Sequence, residues 1–313
     1  MKGKERSEER SAGRTGRILA LHGVAPQVDR RRFEFRNFEE VRALERFLSA
    51  APPFLPLVEA LAGRGDALTI DDATRGAADA ALLARRYGHA VTLFVNPAQV
   101  ESGAPYWFFL LNVLLDKLDG RRRDFEGTSF ATSSVPQRNA LRTRIKARVR
   151  AIKQEPQRAA FIRELAERWQ LAPLDVPGHL TTLRTGDLRE LLASGVELQN
   201  HGWSHAHHGS LSAEESVWEV REAREWLRSE LGVDAPHFAV PFGDVMPGPE
   251  ATTACETWLT LSDVWPAGRV TPTVFNRKNL EVATELDVFA RVGARVRRSL
   301  RVLAARVFGS LRP

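Results

Sequence analysis

Short apolar runs that break off at residues able to do chemistry alternate with amphipathic helical segments along most of this 313-residue chain. Ile18-Leu-Ala-Leu21 ends at His22-Gly23, and Ala67-Leu-Thr-Ile70 ends at Asp71-Asp72. Between them, Phe38 to Leu48 puts Phe38, Val41, Leu44, Phe47 and Leu48 on one helical face. Ala77 to Tyr87 reads as a second helix with Gly88 as its C-cap, and Ala90-Val-Thr-Leu-Phe-Val95 reads as a third strand. Strand, helix, strand at this spacing predicts parallel βαβ units and an α/β fold. The alternation stops from Tyr106 to Leu171, a mostly helical stretch with ten basic and three acidic residues between Arg138 and Arg168. This segment, about 105–177, is expected to be an insertion lying over a cleft. Its basic helix at Arg142–Lys153 reads as a solvated face. Beyond it, Thr185-Gly-Asp187 caps a helix through Ser194, and Val196-Glu-Leu-Gln199 forms a strand. Ser212-Ala-Glu-Glu215 is a capping box opening a helix through Glu230, and His237–Val240 and Trp258–Leu261 are later strands.

Composition narrows the class. The single cysteine, Cys255, excludes an internal disulfide and a cysteine-rich zinc site, and it is expected to be a small buried apolar side chain. The longest apolar run, Trp107–Leu115, is interrupted by Asn112 and falls short of the roughly 20 residues of a bilayer span. Residues 1–16 read as a disordered leader without the apolar segment of a secretory signal, which predicts a cytoplasmic protein. The net charge is 45 − 39 = +6, but residues 291–313 hold seven arginines and no acid. The rest of the chain therefore has 38 basic and 39 acidic residues, and no nucleic-acid partner is expected. In that tail Val292, Val296, Leu300, Leu303, Val307 and Leu311 recur at helical spacing opposite the arginines. Such a helix can pack its stripe on the main body, or lie on the anionic inner face of a membrane.

Three strand ends hold most of the reactive side chains: Asp71-Asp72, His201-Gly-Trp-Ser-His205 and Pro241-Phe-Gly243. In α/β barrels the carboxyl ends of strands face one cleft. The His-x-x-x-His spacing would put two imidazoles on one face of a helical turn, and a carboxylate from another strand completes a two-histidine, one-carboxylate metal set.

In chain order these segments resemble the motifs of the polysaccharide deacetylases, carbohydrate esterase family 4. Leu68-Thr-Ile-Asp-Asp-Ala73 is similar to the family's Thr-Phe-Asp-Asp-Gly. Gly195-Val-Glu-Leu-Gln-Asn-His-Gly-Trp-Ser-His205 is similar to its histidine motif, and Leu211-Ser-Ala-Glu-Glu215 to the continuation. Phe238-Ala-Val-Pro-Phe-Gly243 resembles Arg-x-Pro-Tyr-Gly, and Leu19-Ala-Leu-His-Gly-Val24 the family's usual opening.

The resemblance covers about residues 17–290 apart from the insertion. It implies a distorted, seven-stranded (β/α) barrel and metal-dependent hydrolysis of N-acetyl, ahead of O-acetyl, groups on a sugar of a surface glycan or its precursor. Carried over position by position, Asp72, His201 and His205 would hold a divalent metal, zinc first, and Asp71 would be the general base. A backbone N–H beside the metal would complete an oxyanion site. His22, Trp203, Pro241 and Phe242 are expected to contact the acetylated carbohydrate.

Two departures stand out. Ala239 replaces the motif arginine that braces the catalytic aspartate, and no histidine follows His237 to act as general acid. They leave open a catalytically impaired, carbohydrate-binding protein of the same fold. His207 and His208 are expected to be exposed, and Trp265 is a further candidate for sugar stacking. Asp263 matches the family's fourth motif only loosely.

Overall fold

The computed structural model describes residues 16–245, 253–264 and 266–286. The predicted tail helix 291–313, Trp265 and most of the leader lie outside them.

One sheet organises the described residues. In chain order its strands are β1 (Ile18–Leu21), β2 (Ala67–Ile70), β3 (Val91–Val95), β4 (Glu197–Asn200), β5 (His237–Ala239), β6 (Thr257–Thr260), β7 (Gly268–Arg269), β8 (Val274–Asn276) and β9 (Lys278–Asn279). Across the sheet the order is β7-β8-β6-β5-β4-β3-β2-β1-β9, parallel except for the antiparallel β7–β8 pair. The strands from β1 to β3 are buried throughout and, apart from Thr69 and Thr92, apolar, because both faces are covered, as parallel strands require.

β8 and β9 stand at opposite edges of this order, yet only Arg277 separates them in the chain. The sheet must therefore curl until its edges meet. The Arg277 N–H donates to the Thr260 carbonyl on β6 at 2.9 Å, while Lys278 is already paired with Leu19 on β1. Counting β8 and β9 as one strand interrupted at Arg277 gives seven parallel staves, with the two-residue β7 added at the rim. Side chains confirm the curl. Ile18, Phe94, Ala239, Leu259 and Phe275, drawn from β1 to β8, form a single buried cluster.

The outer face carries helices. α1 (Val41–Ala50) buries Leu44, Phe47 and Leu48, and α2 (Arg75–Arg86) buries an alanine-rich face, Ala77, Ala80, Ala81 and Ala84. Small side chains let α2 lie close to the sheet, and its N-terminus is fixed by Thr74, whose hydroxyl accepts from the Ala77 N–H at 3.2 Å.

The insertion is helical as expected: α3 (Trp107–Asp116), α4 (Val135–Arg150) and α5 (Glu155–Arg168). It also has a hairpin, Arg123–Phe125 with Thr128–Phe130, turned at Glu126 and Gly127, both with positive φ. Leu111, Leu114, Ile145, Val149, Ile162 and Leu165 give it a core separate from that of the barrel. α6 (Thr185–Ala193) precedes β4. α7 (Ala213–Leu231) starts at the predicted Ser212–Glu215 capping box and ends at Gly232 in the left-handed region.

After β5 the chain turns through Pro241, Phe242 (φ +65°) and Gly243 (φ +70°). A Cβ on Gly243 would lie 2.7 Å from the Leu261 backbone nitrogen, so glycine is required twice, for conformation and for space. Gly243→Ala should lower stability by about 1–2 kcal/mol from the backbone alone, with the clash adding to it. Gly178→Ala, at an ordinary φ with open space around it, should stay within about 0.5 kcal/mol of the parent in the same thermal melts.

Candidate metal and catalytic site

The carboxyl ends of the staves open into a cavity of about 400 Å³, with His22, Asp71, Asp72, His201 and His205 on its floor. Each residue is delivered by a strand end: His22 by β1, the two aspartates by β2 and the histidine segment by β4. The Asp71 N–H donates to the Leu21 carbonyl at 2.9 Å and the His201 N–H to the Val95 carbonyl at 3.0 Å, which extends the ladder into the site.

Asp72, His201 and His205 offer ligand atoms within 4.8 Å of one another, all buried. Asp72 Oδ1 lies 3.2 Å from His205 Nε2 and 3.7 Å from His201 Nε2. His201 Nδ1 is 2.7 Å from the Ala239 carbonyl, so it carries the proton and leaves the Nε2 lone pair facing Asp72. Burial depresses the His201 imidazole to about 4, despite the opposing charges of Asp71 and Asp72, and keeps it neutral as a metal ligand must be. Asp72 Oδ1 is buried without a hydrogen-bond partner. Two imidazoles around an unpartnered carboxylate oxygen fit a divalent cation. The histidine segment is a loop, not the helical turn its spacing suggests. Gly202 (φ +81°) and His205 (φ +52°) are both left-handed in this loop, which brings the His205 ring to 4.9 Å from that of His201.

A hydrogen-bond chain ties the two ligand-bearing loops together. The Ala73 N–H donates to the Tyr106 hydroxyl at 3.0 Å, which donates to Asn96 Oδ1 at 3.1 Å. Asn96 Nδ2 in turn donates to the carbonyls of His201 and Gly202. At Ala73, where the family motif has glycine, φ is negative; the left-handed residue is Asp72, at φ +64°.

The brace missing at Ala239 comes from elsewhere. Arg277, at the seam between β8 and β9, grips both oxygens of Asp71, at 2.6 Å and 2.7 Å. Its Nη1 also donates to Thr69 Oγ1 at 3.2 Å, and its cation lies 5.4 Å from the centre of the Phe94 ring. Burial alone would raise the Asp71 carboxyl, but the Arg277 charge, His201 and the Arg277 hydrogen bonds hold it well below the usual carboxylate range. An arginine closing a late strand, just like His22 and Asp71 closing earlier ones, is the sequence signal that could have revealed this partner.

Other expectations are revised. Trp203 does not line this cavity. It stands in a separate depression with Lys153 and Glu155, its ring 6.2 Å from that of Trp218. Pro241 is buried behind the cavity wall, which Val240, Phe242 and Gly243 form, and Asp263 is exposed at the cavity. His208 is buried, not exposed: its Nδ1 is 2.6 Å from Ser216 Oγ and its ring packs on Phe238 and Trp258. Cys255 is buried as expected, its thiol pushed up to about 12. The basic helix α4 is not simply a solvated face, because Arg142, Lys146 and Arg150 line the cavity.

A buried two-histidine, one-carboxylate set that could hold a metal ion lies beside a braced second carboxylate at the open end of a parallel barrel. The sequence matches the family model for polysaccharide deacetylases over residues 63–253, and the chain belongs to that family. It matches none of the curated proteins with which it was compared. Its fold is similar to that of the Streptococcus pyogenes deacetylase PplD in complex with acetate: 12% identity, TM-score 0.52, 85% of this chain and 92% of that one. A Bacillus cereus polysaccharide deacetylase (13%, TM-score 0.51, 88% and 68%) and IcaB from Ammonifex degensii (13%, TM-score 0.50, 88% and 96%) are similar as well.

Arg277→Met should strand a buried carboxylate and destabilise the fold by about 3–5 kcal/mol, with much of the loss recovered when Asp71→Asn is added. The Asp71 carboxyl is depressed in the folded state, so the pair's contribution is full above the ordinary value of 3.8 and fades as pH falls below it. Denaturant titrations should accordingly show the gap between parent and Arg277→Met closing towards low pH. Tyr106→Phe breaks the bridge between the ligand loops. It should cost about 1–3 kcal/mol in the same titrations and lower metal affinity about 10–100-fold by calorimetry.

Proposed function

We propose that this protein is a metal-dependent deacetylase that hydrolyses N-acetyl, ahead of O-acetyl, groups on a sugar of a surface glycan precursor. The observation that carries the reading is Asp71, gripped by Arg277, standing next to the Asp72, His201 and His205 set on one cavity floor. Asp72, His201 and His205 would hold the metal, for which zinc is the first choice for an imidazole–carboxylate set. A divalent cation bound there would make water acidic enough to attack at neutral pH and would draw charge from the acetyl carbonyl.

The chain's own residues do the rest. Asp71 takes the proton of the attacking water, and Arg277 fixes both carboxylate oxygens so that Asp71 meets that water in one orientation. His22, the third histidine on the cavity floor, contacts the sugar beside Asp71. Phe108 and Phe242 press on His205, with ring centres 4.8 Å and 4.7 Å away, and keep bulk water from that side. Water adds to the acetyl carbon, the carbon–nitrogen bond breaks, acetate leaves, and the sugar nitrogen gains the proton. Ala239 argued for an impaired carbohydrate-binding protein; the Arg277 brace supports catalysis instead.

Acetate release from acetylated sugars, read together with metal content, tests this. Asp71→Asn should keep about stoichiometric metal and lose about 10²–10⁴ in kcat. Asp72→Asn and His201→Ala should lose the metal itself. Undiminished turnover by Asp71→Asn would remove the base from the scheme.

A further inference from the structure

One wall of the cavity carries more positive charge than the fold itself can use. Arg142, Lys146 and Arg150 recur at every fourth position of α4, beside its buried stripe of Leu141, Ile145 and Val149. Successive members of this row stand about 6 Å apart along the helix axis. All three are half-buried and line the cavity, with Arg36 beside them. Like charges at this spacing oppose one another, and half-buried charges are costly without partners.

Few partners are present. Arg150 reaches Asp244 at 3.2 Å, and Asp244 is shared with His207. Arg142 donates only to the neutral Asn112 Oδ1, at 3.1 Å. The Lys146 ammonium lies 5.4 Å from the centre of the Phe242 ring. Among the described residues no carboxylate lies within ion-pair distance of Arg142 or Lys146. Burial, with Arg142 and Arg150 nearby, pulls the Lys146 ammonium down to about 7. Of the other cavity carboxylates, Asp71 is gripped by Arg277, Asp72 faces His201 and His205, and Asp263 is exposed.

The wall and the metal set are one aromatic ring apart. Phe242 touches both, with the Arg150 cation 4.3 Å and the His205 ring 4.7 Å from its centre. A ligand reaching from one to the other has its anion and its acetyl group close together. With Arg150 already at Asp244, a single carboxylate would leave one of the two remaining cations unmatched, whereas a pyrophosphate diester brings two charges along a row.

Resting on the deacetylase reading, we propose that the substrate is a 2-acetamido sugar bearing an anomeric pyrophosphate ester. The pyrophosphate binds Arg142, Lys146 and Arg150, and the acetamido group on the neighbouring ring carbon meets Asp72, His201 and His205. Both a nucleotide diphosphate sugar and a polyprenyl pyrophosphate sugar have this chemistry.

Inorganic pyrophosphate titrated calorimetrically into metal-stripped protein tests the anion site without any turnover. Binding should weaken at least tenfold in Arg142→Gln/Lys146→Gln and should be retained in Lys146→Arg. The double variant should melt no lower than the parent, since it removes repulsion. Absence of binding, or equal binding by the double variant, overturns the proposal.

Acetate release then compares methyl N-acetylglucosaminide with two esters, uridine diphosphate N-acetylglucosamine and a micellar polyprenyl pyrophosphate N-acetylglucosamine. At least one ester should exceed the neutral sugar tenfold in kcat/KM, and that ratio should collapse in the double variant; the ester preferred identifies the source. Preference for the neutral sugar over both esters overturns the pyrophosphate assignment while the deacetylase reading survives. Pyrophosphate binding with no acetate from any sugar has the reverse meaning: the anion site stands and the deacetylase reading falls.

Discussion

A guanidinium shut off from solvent grips a carboxylate 206 positions earlier in the chain, and the site is built on that pair. Taking two charges out of water is expensive, and good geometry is what offsets the cost. Arg277 supplies it with a two-point grip on Asp71 and a further bond from Nη1 to Thr69, while its buried Nε has no hydrogen-bond partner. Lysine could not reproduce it, having a point charge where the planar fork is needed. The location matters as much as the chemistry. Arg277 is the residue at which the last stave passes from β6 to β1, so curling the sheet shut and orienting Asp71 are one event. A closure error of one residue would rotate the fork out of the barrel and leave Asp71 buried alone.

That grip has a chemical consequence. A general base is most effective when its pKa lies near the working pH, and Arg277 moves Asp71 the other way. The arrangement gives up basicity for a single ionisation state and a single orientation. This is tolerable where an adjacent cation already makes the attacking water acidic, since the base then needs position more than strength. Asp71 and Arg277 therefore make sense only next to the Asp72, His201 and His205 set. Conversely, that set needs the chain from Ala73 through Tyr106 to Asn96, because its ligands come from two loops with no ladder between them.

Local signals made the barrel legible in the sequence. Ala67–Ile70 is a strand with its predicted ends, and the Ser212–Glu215 capping box opens its helix where expected. Asp71, Asp72 and His201 were readable because they directly follow recognisable strands, and His205 because of its spacing from His201. What was hidden is non-local. Val274–Asn276 and Lys278–Asn279 are too short to show periodicity, so the strand end carrying Arg277 was invisible, and Ala239 suggested that the brace was lost. Tertiary packing also hid Trp203 and His208. Trp203 lies between the two histidines in sequence, yet its ring sits beside Trp218 in a separate depression, and His208 is buried against Phe238 and Trp258 with its Nδ1 on Ser216.

The insertion explains how one barrel can serve a particular substrate. Its hydrophobic core is its own, so its helices can change without disturbing the staves. Its first helix, α3, puts Phe108 against His205, and the next, α4, puts Arg150 and Lys146 over Phe242. Phe242 belongs to the barrel and is held with φ +65° by the turn that Gly243 permits. The ring is thus a shared surface, touching His205 on one side and the cationic wall on the other. The strand ends carry the buried carboxylates and histidines, whereas the cations come from a helix that meets them through this aromatic contact and the Arg150–Asp244 pair. That separation lets the wall keep half-buried, mutually repelling cations without straining the geometry around Asp71.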